Sequence, residues 1–242
     1  MKDTYFKLTE NKRIAKNTYL AVLQGDTADI KPGQFVNIKL DGLYLRRPIS
    51  VCNVEDDLLT LIYKAVGTGT EQMATTEPGK TWQILTGLGN GYDLTLSGDR
   101  PLLIGGGAGV PPMYMLCREL IQDGKKPIVI LGFGSADEVF FKEDFETIGA
   151  KVLVTTVDGT AGIKGFVTDA MSELDYTYFY TCGPEPMLKA VYDKSTTSGQ
   201  FSFEERMGCG FGACMGCTCK TKYGNKRICR DGPVLVKEEI IW

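Results

Sequence analysis

Residues 208–219 read GCGFGACMGCTC and place four cysteines in twelve positions, separated by glycine, alanine and few larger side chains. Such thiols can staple a fold, hold zinc or hold a centre that moves electrons. The order Cys209, four residues, Cys214, two residues, Cys217, eleven residues, Cys229 is the C-x4-C-x2-C…C spacing of a plant-type [2Fe-2S] centre. A zinc ribbon would show two C-x2-C knuckles instead. Gly208, Gly210, Gly212, Ala213 and Gly216 let backbone N–H groups approach the sulfurs of such a centre and tune it. Cys209, Cys214, Cys217 and Cys229 are therefore the candidate metal ligands. Cys219, two residues past Cys217, reads as a bystander on the outgoing strand.

Composition narrows the chemistry. The chain has 242 residues, eight cysteines and no histidine. Without histidine there is no Ser-His-Asp or Cys-His nucleophile, no mixed Cys/His zinc site and no imidazole proton shuttle. Chemistry must come from cofactors. The N-terminus carries no apolar signal-like stretch, and no window approaches the ~20 apolar residues of a membrane span, so the expected location is the cytoplasm. In that reducing compartment clustered thiols read as metal ligands or redox centres rather than disulfides. A formal charge of −3 gives no field to gather nucleic acid or anionic lipid, so neither nucleic acid nor membrane is an expected partner.

The hydrophobic rhythm divides the chain into three. Residues 1–98 alternate apolar and polar positions in short runs (TYLAVLQ, QFVNIKL, LLTLIYKAV, TWQIL) broken by turn residues, as in an antiparallel β-barrel or sandwich. From Pro101, continuous apolar runs (PLLIG, PIVILGFG, KVLVTTVDG, YTYFYTCG) alternate with helical segments near 111–123, 138–148, 165–174 and 185–195. That is a parallel α/β lobe over 99–200. The cysteine-rich segment 201–242 follows. Its ending VLVKEEIIW suits either a subunit interface or a strand capping the lobe.

Two segments carry nucleotide chemistry. LLIGGGAGVPPM runs from a strand through Gly105, Gly106, Gly107 and Gly109 into a helix opened by Pro111 and Pro112, a geometry that suits phosphate but also occurs for packing. It departs from G-x-G-x-x-G at Val110. YTCGPEPML supplies Cys182 and Gly183 at another strand end; Cys182 either faces a nicotinamide or fills a small apolar space. Asp137 and Glu138 follow the second strand with no adjacent base, which favours NADH over NADPH, although Lys142 and Lys164 could approach in space. Earlier, LYLRRPISVCN sets two arginines before a strand and IYKAVGTGTEQM places a Gly-Thr-Gly-Thr turn at a helix start. The arginine fork suits a pyrophosphate and Ser50 a ring heteroatom.

Together these motifs resemble the ferredoxin-reductase-type flavoproteins, whose Arg-x-x-Ser motif matches Arg47-Pro48-Ile49-Ser50. RMGCGFGACMGCTCK followed by CRDGPVL is similar to the family of electron-transfer subunits of B-type dihydroorotate dehydrogenase, over essentially the whole chain. The resemblance implies a multi-domain β plus α/β protein: an FAD barrel, an NAD lobe and a small [2Fe-2S] domain. It implies that Arg47 and Ser50 contact FAD, that Ile62, Tyr63 and Lys64 line its site, and that Gly69 and Thr70 complete the phosphate cradle. It implies a partner, an FMN-containing catalytic subunit in a heterotetramer of two of each. Electrons from dihydroorotate oxidation would cross the cluster singly, gather on FAD and leave as hydride to NAD+ in pyrimidine biosynthesis. A sulfur- or ferredoxin-linked NADH reductase subunit of the same architecture and a non-enzymatic zinc-binding adaptor are the competing readings.

Overall fold

In the computed structural model, which describes residues 1–242, six strands close a barrel. They are β1 (Lys2–Ala15), β2 (Thr18–Gln24), β3 (Phe35–Lys39), β4 (Arg47–Glu55), β5 (Leu58–Lys64) and β6 (Thr81–Leu88), in the antiparallel order β1-β2-β5-β4-β3-β6. The period-two pattern sends Phe6, Leu8, Ala21, Leu23, Leu59, Leu61 and Ile84 inward, all at 0% exposure. Each larger member contributes roughly 1.5–3 kcal/mol by leaving water. The short helix α1 (Thr68–Ala74) plugs one end with Met73, whose carbonyl accepts a 2.9 Å hydrogen bond from Asn11 Nδ2.

The rhythm changes at Pro101 because the next strands are covered on both faces. β7 (Pro101–Gly106), β8 (Ile128–Phe133), β9 (Lys151–Thr156), the two-residue β10 (Ile163–Lys164), β11 (Tyr178–Cys182) and β12 (Gly199–Ser202) lie parallel in the order β10-β9-β8-β7-β11-β12. On β7, Leu103 faces α2 (Pro111–Gln122), while Leu102 and Ile104 face α4 (Val167–Met171) and α5 (Glu185–Lys194). The helix expected over 138–148 is shorter. A 3-10 turn, Ala136–Glu138, and a left-handed Phe141 (φ 64°) delay α3 to Lys142–Thr147. The expected 165–174 segment likewise narrows to α4, since Gly165 turns at φ 126° just before it.

The C-terminal segment is threaded into this sheet. β12 runs through position 200, and β15 (Val234–Val236) pairs antiparallel with it, Phe201 opposite Leu235. Of the two uses open to VLVKEEIIW, its VLV portion takes that of an edge strand. Between these strands lie the cysteine loop and a hairpin, β13 (Thr218–Thr221) and β14 (Gly224–Arg227).

The three parts share packing. Cys52, Ile62 and Tyr92 of the barrel segment are buried among α2 and sheet residues, while Met115 of α2 enters the barrel core. Asn90 acts as a strand edge for the tail: its Nδ2 donates to Val234 O at 2.8 Å and its Oδ1 accepts from Val234 N at 3.1 Å. No helix is long and apolar enough to cross a membrane.

Candidate functional site

β7 leads to α2 and β8 on one side, whereas β11, its other neighbour, arrives after the chain has crossed the sheet. That reversal opens a crevice at the carboxyl ends of β7 and β11, where open α/β sheets receive nucleotides. The glycines expected to cradle phosphate crowd this crevice. Side-chain atoms at Gly106 and Gly109 would collide with Met187 Sδ and the Cys182 carbonyl, and one at Gly105 would press on Val110, 2.7 Å from its Cα. Gly105 and Gly109 are required by close approach to backbone, at the start of α2 and at the end of β11, whereas at Gly106 the flexible Met187 side chain would have to move. Gly107 differs: its φ is +52° and the sole neighbour of an added Cβ would be Lys64 Nζ, at 3.9 Å. Gly183 turns the β11 end into α5 against Met187.

On the barrel side, a groove of about 290 Å³ gathers Pro48, Ile49, Ser50, Ile62, Tyr63, Lys64 and Thr70 with Cys182. Its far wall is Ser202 to Glu205 and Met207, two residues before Cys209, the first candidate ligand. The sequence reading had not assigned this wall. Its signal was available in FEERM, which Gly208 alone separates from Cys209.

The adjacent arginines separate in role. Arg46 forks onto Asp3 at 2.9 and 3.2 Å, while Arg47 rests on the carbonyls of Leu45 (2.6 Å) and Arg46 (3.4 Å). Arg47 lies over the Cα of Gly69, so closely that any Cβ there would meet its Nε. Backbone and guanidinium thus form one cradle of donors, the chemistry a pyrophosphate needs. Thr70 Oγ1 closes the adjoining turn, accepting from Val66 N at 3.0 Å and Gly67 N at 3.3 Å. The Tyr63 hydroxyl is turned away, donating to Asn11 Oδ1 at 3.0 Å in the barrel.

Cys182 is 2% exposed, and burial, then the Glu204 charge, push its thiol up to about 12. It is therefore a neutral, apolar contact surface on the groove wall. The two acids after the second strand are engaged in ion pairs. Glu138 Oε2 pairs with Lys64 Nζ at 3.0 Å, and Asp137 Oδ2 with Lys16 Nζ at 3.0 Å. These carboxylates join lobe to barrel.

The four candidate ligands meet as two pairs. Cys214 N donates to Cys209 Sγ at 3.4 Å, and Cys229 N to Cys217 Sγ at 3.4 Å. Cys209 Sγ also accepts from Ala213 N (3.3 Å). Burial alone would raise its thiol; the N–H groups of Cys214, Phe211 and Ala213 outweigh it and hold the value at about 6. At Cys229, burial, then Cys217, push the thiol up to about 12. No three of the thiols stand together as a ready metal site; the pairs Cys209/Cys214 and Cys217/Cys229 are the donor set the C-x4-C-x2-C…C spacing supplies, the first of them rich in N–H donors. Cys219 stands apart on β13, opposite Lys226. Cys214 is exposed, with Phe211 (44%) and Met215 (54%) exposed in the same loop.

Comparison with known proteins bears on all three parts. Residues 204–241 match the iron-sulfur cluster binding domain of dihydroorotate dehydrogenase B, and residues 103–193 match the oxidoreductase NAD-binding domain. The chain is 43% identical to the "Dihydroorotate dehydrogenase B (NAD(+)), electron transfer subunit" of Fusobacterium nucleatum over 248 residues, 96% of this chain and 95% of the relative. It is also 43% identical to the protein of that description from Bacillus mycoides, covering 97% and 96% of the two chains. Among solved structures, the NADH-dependent reduced ferredoxin-NADP oxidoreductase aligns with a TM-score of 0.89 and 28% identity over 98% of this chain and 90% of that one. An Amycolatopsis cytochrome P450 reductase shares the fold, with a TM-score of 0.71 and 22% identity over 81% of this chain and 67% of that one.

Proposed function

The chain belongs to the electron transfer subunits of NAD+-dependent, B-type dihydroorotate dehydrogenase, and from that premise we propose how its residues serve the electron flow from dihydroorotate oxidation to NAD+ in pyrimidine biosynthesis. It is an iron-sulfur flavoprotein subunit of an oxidoreductase and works with a catalytic partner. In our reading that partner carries FMN, the assembly contains two of each subunit, and it resides in the cytoplasm, where eight free thiols stay reduced.

One observation carries the assignment of residues. A single groove is walled by the barrel strands at Pro48–Ser50 and Ile62–Lys64, by Cys182 of the nucleotide lobe, and by the segment that continues into Cys209. All three parts of the chain meet at one place.

FAD, when bound, supplies the exchange between single electrons and a hydride that neither an iron-sulfur centre nor NAD can perform alone. Arg47 and the backbone at Gly69 and Thr70 hold its pyrophosphate. Ser50, Ile62 and Lys64 border the ring, with Pro48, Ile49 and Tyr63 completing that wall. Cys182, neutral and buried, offers the nicotinamide a surface with no competing charge, and Gly107 is the open backbone position for a nucleotide phosphate. Gly105, Gly106, Gly109 and Gly183 let the β7 and β11 ends close on each other beneath it. Cys209, Cys214, Cys217 and Cys229 would hold the iron-sulfur centre. The exposed Cys214, Phe211 and Met215 turn this centre toward the catalytic partner. No residue is asked to act as general acid or base, in keeping with the missing histidines.

The test is co-purification with the dihydroorotate-oxidising subunit and assay of NAD+ reduction by dihydroorotate. Activity that requires both chains supports the reading; activity of the partner with NAD+ in the absence of this chain contradicts it. The 28% identity to a ferredoxin-linked oxidoreductase favours a second reading, exchange with ferredoxin. That reading predicts reduction of ferredoxin by NADH without any dihydroorotate-oxidising partner.

A further inference from the structure

β3 carries Val36 and Ile38 into the barrel core, and between them Asn37 is buried to 1% exposure with its side chain directed elsewhere. Its Nδ2 donates to the Cys209 carbonyl over a long 3.4 Å, and the same nitrogen lies so near the Cα of Gly210 that a Cβ there would collide with it. Gly210 has φ +79°, a conformation open to glycine. Asn37 Oδ1 is buried with no hydrogen-bond partner. An orphaned acceptor is a net cost to folding. Stability alone would favour an aliphatic side chain here.

Asn37 is also tied to the flavin side. It pairs across the sheet with Pro48, and two residues earlier Phe35 pairs with Ser50. Its own carbonyl accepts from Arg46 Nη1 at 3.3 Å, and Arg46 is fixed by the Asp3 fork. One residue therefore touches the strand beside the flavin groove through its backbone and the first cluster cysteine through its side chain, with 172 positions of chain between them.

We propose that Asn37 is a positioning residue that clamps the Cys209–Gly210 backbone to the flavin barrel, setting the separation of the two redox centres and the electrostatics at Cys209. It exchanges neither proton nor electron. The proposal rests on Cys209 being a cluster ligand. The amide N–H group offers Cys209 a donor where a carboxylate would place an acceptor and a negative charge. A negative charge beside the cluster disfavours adding an electron to it.

The experiment uses the full chain loaded with FAD and cluster, in wild-type form and as Asn37→Leu and Asn37→Asp. Flavin and iron content, the paramagnetic spectrum of the reduced cluster, its midpoint potential and the rate at which NADH reduces it are measured. Asn37→Leu is expected to keep its flavin and iron but to slow reduction of the cluster roughly tenfold, within the usual effect of an outer-shell contact at a metal centre. Asn37→Asp, nearly identical in shape, is expected to move the cluster potential to a more negative value. Variants that match wild type in potential, spectrum and reduction rate overturn the proposal, as does loss of flavin in step with loss of transfer. A wild-type protein with no cluster signal would instead remove the ligand assignment on which it stands.

Discussion

Lys64 Nζ stands 3.0 Å from Glu138 Oε2, joining the last residue of a barrel strand to the turn after β8. The side chains are 28% and 25% exposed, and the pair lies beside the flavin groove and the open face of Gly107. With Lys16–Asp137 on the same turn, it makes the approach of lobe to barrel partly electrostatic.

Replacing Glu138 with Gln keeps the size and removes the charge. A partly exposed pair is worth up to about 1 kcal/mol, which in a chain of this length lowers Tm by roughly 2–4 °C. Calorimetry at low and high salt checks this: the difference between variant and wild type should shrink as salt is added. A difference that persists at high salt would assign the effect to packing.

Gly69→Ala should cost flavin. The methyl group would collide with Arg47 Nε, displacing the guanidinium from the cradle, whereas Gly67, two residues earlier, has open space around its Cα. The expected result is about a tenfold weaker hold on FAD for Gly69→Ala, equivalent to ~1.4 kcal/mol, and near-normal flavin content for Gly67→Ala. Equal flavin retention in both variants would separate Arg47 from the cofactor.

Much of this architecture was legible from the chain alone. The switch from alternating to continuous apolar runs at Pro101 marked barrel and lobe because burial on one face or two leaves different periods. Pro111 and Pro112 announced the start of α2, and both lie in its first turn. The parts that were not legible depend on partners distant in sequence. The motif singled out Arg47, but what holds Arg46 was not legible until Asp3, 43 positions away, claimed it. Glu138 shows no basic partner in its own stretch of sequence because Lys64 is 74 positions away. The three-residue β15 gave too short a pattern to reveal its pairing with β12.

The buried thiols predict an alkaline dependence. Cys117 and Cys182 are pushed up to about 12 by burial, against an ordinary value of 9.0. Between those values the folded chain keeps protons that the unfolded chain has released. Their contribution to stability is therefore fully present below the ordinary value and declines as pH rises through this window. Urea midpoints measured on either side of pH 9 should fall with rising pH, and both thiols should resist alkylation until the chain unfolds. Rapid labelling of Cys182 in the folded protein would contradict its placement.

Cys214→Ser and Cys219→Ser divide the tail. The first should lose the cluster, and with it transfer to the catalytic partner, while keeping flavin and part of NADH-to-dye reduction; the second should retain both functions. Iron content together with the two assays reads this directly. Loss of the cluster in Cys219→Ser would place that thiol among the ligands.

The central claim is that the two thiol pairs hold a diiron-disulfide centre on the same chain as the flavin groove. Iron, acid-labile sulfide and the low-temperature paramagnetic spectrum of anaerobically purified, reduced protein measure it together. The account predicts about two irons and two sulfides per chain, with a spin-½ signal that NADH can elicit when FAD is bound. Stoichiometric zinc in place of iron, or reduced protein that carries iron and sulfide yet gives no such signal, would contradict it.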